Sequence, residues 1–240
     1  MKVRFQPDKV PIFMYDRAPQ TDTVVVVAGG PSMKLYSSRV KKFIKKNKSV
    51  VFAANYNFEK FGIHSDYTYI TDVAKFKENI KSINSELILT NDLINNYGVR
   101  DGLIDHVERF PVYRAGCEGK KHVYEEREKL RVSKKGNILH SEIGICGLGA
   151  LLLATMCRPK KILVVGLDDP KDPDCYSKKN YLGEKTIYNK RKKAIKVIRY
   201  FSTILLPYLK ASGIELLTYE NVGLHGVDKH SDKYDIEVIE

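Results

Sequence analysis

Tryptophan is absent from this chain of 240 residues, and methionine and cysteine occur only four times each. The cysteines, Cys117, Cys146, Cys157 and Cys175, are widely separated with no C-x-x-C pair. That spacing indicates neither a zinc site nor a disulfide framework, so reduced thiols, mostly in the core, are expected. No run approaches the roughly 20 apolar residues that a membrane-spanning helix needs. The opening stretch MKVRFQPDKVPIF also lacks the apolar core of a signal peptide. A soluble, cytoplasmic protein with no membrane span is therefore expected. Internal repeats, low-complexity tracts and Pro/Ser-rich linkers are missing too, which predicts one domain over residues 1–240.

Acidic residues are the scarcer charge. Against 29 Asp and Glu stand 41 Lys and Arg, leaving a net charge of +12, which favours an anionic partner. Part of that surplus needs no partner. Lys41-Lys42 with Lys45-Lys46, and the run from 190 to 193, fall on helical patterns whose outer faces are polar in any case.

Short β-branched runs recur along the chain: Val24 to Ala28, Val50 to Ala54, Tyr67 to Ile70, Leu87 to Leu89, Ile162 to Val165 and Ile214 to Leu217. Helical patterns separate them at Ser37 to Lys46, Val73 to Lys81, Ile143 to Cys157 and Thr186 to Ala211. Apolar strands without polar alternation, joined by helices, predict an α/β fold: a Rossmann-like, mostly parallel sheet with helices on both faces. The interval of about 91–137 is more charged and less regular. It reads as a small lid-like or acceptor-binding insertion, or else as an ordinary peripheral helix. The last dozen residues read as a tail or an edge strand.

In open parallel sheets ligands bind beyond the carboxyl ends of the strands. The first strand delivers Gly29, Gly30, Pro31 and Ser32, where small residues let a backbone approach a phosphate and helical N–H groups are to hand. This turn lacks a P-loop lysine and does not complete G-x-G-x-x-G. The second strand delivers Asn55 and Asn57, whose amides suit a base edge or ribose, or simply a turn. The third ends at Asp72, which could bind a sugar hydroxyl, hold a metal, act as a base or cap the next helix. Further on come His140, Ser141, Gly144, Gly147 and Gly149 around a helix entrance, then Gly166, Asp168 and Asp169 after a buried strand.

The blocks VVVVAGGPSMKLY, VFAANYNF and GICGLGALLLATMCRPKKILVVGLD resemble the family 42 bacterial sialyltransferases and their wider relatives, the motility accessory factors and archaeal pterin pyrophosphokinases. The resemblance implies a Rossmann-like transferase domain. It makes Gly29 to Ser32 the nucleotide-phosphate turn, Asn55 a donor contact and Gly147 a donor-contacting glycine at a helix start. It matches Asp168 to the acid of a strand-ending Gly-x-Asp, Tyr176 to a tyrosine that steadies the leaving phosphate, and Asn221 to an asparagine after the last strand. There are departures. Cys146 stands where the family has serine, Pro170 replaces a second phosphate-contacting tyrosine, an upstream arginine is missing, and no histidine lies between Tyr176 and Ala211.

The leading expectation is a sialyltransferase-like glycosyltransferase using a nucleotide-activated sugar, with a CMP-sugar favoured and a glycan or small-molecule acceptor. Its base would be Asp72, Asp168 or His140, and it would need no metal and no cofactor. The alternative is a Mg-dependent pyrophosphokinase of the 6-hydroxymethylpterin type, with Asp72 and Asp168 or Asp169 holding magnesium. A third reading is a basic nucleic-acid-binding or nucleotide-sensing protein. A Lys/Arg stripe away from the strand ends would favour nucleic acid; cations ringing the strand ends would favour a phosphorylated ligand. Relatives of the fold also make a homo-oligomer an expectation. A valine at Gly30 is expected to abolish nucleotide binding and leave the fold intact.

Overall fold

The computed structural model describes residues 19–55, 58–70, 85–90, 107–109, 131–132, 139–140, 146–168 and 198–240, with backbone alone at 86–90, 107–109, 131–132 and 139–140. Ten strands are seen: β1 (Thr23–Val27), β2 (Val50–Ala54), β3 (Ser65–Ile70), β4 (Ser85–Thr90), β5 (Val107–Arg109), β6 (Arg131–Val132), β7 (Leu139–His140), β8 (Lys161–Val165), β9 (Glu215–Tyr219) and β10 (Ile236–Ile239). The helices are α1 (Ser32–Asn47), α2 (Cys146–Ala154) and α3 (Leu206–Ala211), the last preceded by a π-helical turn at Phe201–Leu205.

Eight strands form one sheet in the order β10-β9-β8-β1-β2-β3-β4-β5, and every neighbouring pair is parallel. β6 and β7 make a separate antiparallel ribbon. Central strands of a parallel sheet are covered on both faces, which is why TVVVV in β1 is buried at all five positions without polar alternation.

Register shows which helix covers which face. Tyr36 of α1 stacks on Tyr219 at 4.5 Å between centroids and 14° between planes. Counting back through Leu217, Leu163 and Val25, Tyr219 shares the face of Val25. Gly149 of α2 lies against the Tyr69 ring, and Tyr69 shares, through Tyr67 and Phe52, the face of Val26. Successive residues of a strand point oppositely, so α1 and α2 lie on opposite faces, as the patterning predicts. Met33, Tyr36 and Val40 are the buried stripe of α1, whereas α2 is buried at all nine positions.

The differences from expectation are local. α1 starts at Ser32, five residues before Ser37, because Pro31 already has helical φ −57° and ψ −35°. The closing residues form β10, the edge strand beside β9. Most of 91–137 lies outside the described residues, but its segment Val107–Arg109 extends the main sheet beside β4. The helix expected at Val73 to Lys81 lies outside them as well, and of Thr186 to Ala211 the part from 198 is described and is helical.

Candidate functional site

The chain leaves β1 toward β2 to β5 on one side, then returns to place β8 on the other side of β1. The carboxyl ends of β1 and β8 are thus the topological switch point, where such folds bind ligands. Gly29 to Ser32 sit on one side of it and Gly166 to Asp168 on the other.

The two loops are tied together. Ladder bonding continues past the strands: Ala28 N–H donates to Val165 O at 2.9 Å and Gly30 N–H to Gly166 O at 3.0 Å. Asp168 Oδ2 accepts from Ser32 Oγ at 2.9 Å and from Ser32 N–H at 3.3 Å. Ser32 Oγ in turn accepts from Gly166 N–H at 2.9 Å. The remaining early N–H groups of α1 turn inward, Met33 to Gly30 O and Lys34 to Pro31 O, both at 3.1 Å. A carboxylate from β8 therefore caps α1, satisfying donors and dipole alike. In phosphate-binding folds a ligand phosphate fills that position.

This packing also explains the glycines. A Cβ at Gly30 would lie on the Asp168 carboxylate and against Gly166 O. Gly166 has φ +83°, and a Cβ there would strike Ala28 O. Gly147 is pressed on Leu167 and faces Ala28. The expectation that Gly30 tolerates valine with the fold intact is thus corrected: the branched side chain would break the loop-to-loop tie itself.

Asn55 belongs to the same assembly. It adopts φ +67°, a region that asparagine enters more readily than other side-chain-bearing residues, and its N–H donates to Tyr69 O at 2.9 Å. Its Oδ1 accepts from the Cys146 thiol at 2.8 Å, which joins the end of β2 to the start of α2. Cys146 is buried in the core, as its sequence reading expects, and its thiol also ties this rim together.

Gly30, Ser32, Asn55, Gly147 and Asp168 thus form one connected cluster at the carboxyl rim. Gly30, Ser32, Gly147 and Asp168 are buried in it, while Gly29, Pro31 and Asn55 are partly open to solvent. Asn221 is not joined to this cluster by a contact. It is exposed after β9, and its N–H donates to Tyr36 Oη at 3.3 Å, on the flank of α1. His140 lies in the β6-β7 ribbon, paired with Arg131. Asn57, Asp72, Ser141, Gly144, Asp169 and Tyr176 lie outside the described residues.

For magnesium, the Oδ2 oxygen of Asp168 is committed to Ser32, and no group of three or more His, Cys, Asp or Glu among the described residues could hold a metal. Basic residues follow the outer face of α1 rather than ringing the described strand ends. A separate cavity of about 620 Å³ lies beside β9 and β10, between Lys210, Lys229, Asp232 and Glu237. Lys229, whose pKa is held below the ordinary lysine value chiefly by burial, donates to Tyr219 O and Val222 O at 3.2 and 3.4 Å. No helix among the described residues is long and apolar enough to cross a membrane.

No family model and no curated protein matches the sequence. Among solved structures, the MAf glycosyltransferase from Magnetospirillum magneticum AMB-1 aligns with 87% of this chain at a TM-score of 0.53 and 14% identity. The chain spans 33% of that protein's length. At this identity the likeness shows a shared fold.

Proposed function

We propose that the chain is a glycosyltransferase whose nucleotide-activated sugar donor lies across the carboxyl rim at the junction of β1, β2 and β8. The observation that carries this reading is the single connected cluster of Gly30, Ser32, Asn55, Gly147 and Asp168 at the switch point. Gly29, Pro31 and Asn55 are the partly exposed residues of this rim, following the paired strands β1 and β2. The donor phosphates would lie over Gly29, and the base and ribose toward Asn55. A CMP-sugar is the favoured donor, and a glycan or small molecule the acceptor.

In the reaction an acceptor hydroxyl attacks the anomeric carbon, its proton passes to a base, and the nucleotide leaves as its phosphate. Asp168 acts by positioning, because its carboxylate is already bonded to Ser32. Asp72 or His140 is then the base, and Tyr176 donates to the departing phosphate.

The test is thermal unfolding with CMP, UDP, GDP, ADP and ATP, each with and without magnesium. A ligand at one hundred times its Kd adds about 2.7 kcal/mol to native stability. CMP is expected to raise the midpoint without magnesium. Asn55→Gly, which keeps the positive φ and deletes the amide, should lose most of that response. Stabilisation by ATP only with magnesium would replace the reading with pyrophosphoryl transfer, and silence across the panel would refute it.

A further inference from the structure

Helix α1 carries a feature that the donor site does not use. Of its sixteen residues, Lys34, Arg39, Lys41, Lys42, Lys45 and Lys46 are cationic and none is acidic. All six are exposed, and none forms an ion pair with a described residue. Arg39 lies over the Tyr36 ring at 5.6 Å.

Lys45 and Lys46 occupy the last turn, where positive charge complements the helix dipole. The other four have no such role, and Lys34 sits near the end where positive charge is disfavoured. Arg39 with Lys42, Lys41 with Lys45, and Lys42 with both Lys45 and Lys46 are like-charge neighbours three or four residues apart, and each such pair weakens a helix. Burial of Met33, Tyr36 and Val40 holds α1 in place regardless. The outer face therefore retains a repulsion that an apposed anionic surface would relieve.

Within this face lies Leu35, 62% exposed, a large apolar side chain left open to solvent. At about 100° per residue it falls between Lys42 and Lys46, with Ser38 and Arg39 one turn further on. It is inside the cationic stripe, not at its margin.

We propose that the outer face of α1 docks on an anionic lipid surface, its lysines among the headgroup phosphates and Leu35 entering the headgroup–acyl boundary. A stripe that leaves the strand ends also fits nucleic acid, as the sequence criterion set out above has it. Leu35 decides for lipid: against a duplex backbone it would meet charged phosphates and sugar, whereas a membrane interface buries it. Because α1 begins at Ser32 on the carboxyl rim, docking along the helix places Gly29 and Pro31 at the edge of the docked face.

The full chain is sedimented with vesicles of phosphatidylcholine alone and of phosphatidylcholine with about two-fifths phosphatidylglycerol, at low and high salt, beside a duplex DNA titration. Partition into the anionic vesicles should exceed that into the neutral ones by roughly a hundredfold or more and fall with salt. The variant Lys42→Gln/Lys45→Gln/Lys46→Gln should lose roughly a hundredfold. Leu35→Ser, which leaves the charge untouched, should lose about fivefold. Far-UV circular dichroism confirms that both variants keep the fold. The proposal is overturned if anionic vesicles are not preferred, or if either variant binds them as the parent chain does. It is overturned equally if DNA binds more tightly than vesicles and is indifferent to Leu35→Ser. No nucleotide sugar or free nucleotide enters the vesicle arms, so their result is independent of the donor assignment.

Discussion

Ser32→Ala is the substitution that best tests the tie at the switch point. It deletes one oxygen that makes two buried hydrogen bonds, as donor to Asp168 Oδ2 at 2.9 Å and acceptor from Gly166 N–H at 2.9 Å. Ser32 is 3% exposed and Asp168 6%, so water does not readily replace the hydroxyl. A hydrogen bond to a charged group contributes about 1.5–3 kcal/mol, and an orphaned buried N–H costs about 1–3 kcal/mol. The Ser32 N–H still reaches the carboxylate at 3.3 Å, which keeps the sum near its lower end, about 3 kcal/mol. For a chain of this size that corresponds to a fall of roughly 6–12 °C in midpoint. Urea and thermal unfolding would measure it, with the exposed Ser38→Ala as a control expected to change stability by less than about 0.5 kcal/mol. A double-mutant cycle with Asp168→Asn should show coupling of about 1–2 kcal/mol. A loss below about 1 kcal/mol with no coupling would refute the claim that Asp168 is bonded to the helix start rather than poised over a ligand.

Gly166→Ala is expected to prevent folding or cost more than about 3 kcal/mol, since φ +83° and the Ala28 carbonyl both oppose a side chain; circular dichroism of the purified variant checks this. Burial, reinforced by Asp66, pushes the Cys157 thiol up to about 12, so iodoacetamide at pH 8 should leave it unlabelled in the native chain and label it after denaturation, as peptide mass mapping would show. At the amino ends of β9 and β10, Glu237 is held above its ordinary value by its hydrogen bond to Glu215. Its contribution is present below the ordinary glutamate value and lost as pH rises through the raised one, so Glu237→Gln should raise the midpoint slightly at pH 7 and not at pH 4. Glu215, held low chiefly by its hydrogen bond to Lys161, works in the opposite sense: its contribution is lost as pH falls through its lowered value, and Lys161→Met should flatten the acid limb of the stability profile.

The strands that sequence reveals best are those buried on both faces. Val24 to Val27 and Ile162 to Val165 can be read as parallel strands because nothing else explains apolar β-branched runs of that length. β5, β6 and β7 escape such reading for the opposite reason: they run for three residues or fewer, so neither period nor hydropathy marks them. IEVI at the sheet edge is half exposed, which is why its segment reads as a tail or an edge strand and the structure is needed to choose the strand. The helical pattern reads from Ser37 although α1 starts at Ser32, because Ser32 and Met33 face inward while Lys34 and Leu35 face solvent, so the periodicity becomes clear only further along.

The glycine turn shows where reading a site from residue types stops. Gly29, Gly30, Pro31, Ser32 and Asp168 have the composition of a phosphate cradle, and the strand ends place them together. Composition cannot say whether the anion at the helix start comes from a ligand or from the chain, because the same N–H groups and the same dipole accept either. Here the chain supplies it: Asp168 crosses from β8 and takes both the Ser32 N–H and its hydroxyl. A phosphate placed at that same point would meet a buried carboxylate, and two anions so close repel strongly in a low-dielectric setting. On the proposed reading the donor phosphates would therefore sit further out, over Gly29, with the base and ribose toward Asn55 and the α1 dipole already neutralised beneath them. On that geometry Ser32→Ala acts on the fold, whereas Asn55→Gly also releases the Cys146 thiol, so its effect on the ligand is the part of the change that appears only when nucleotide is present.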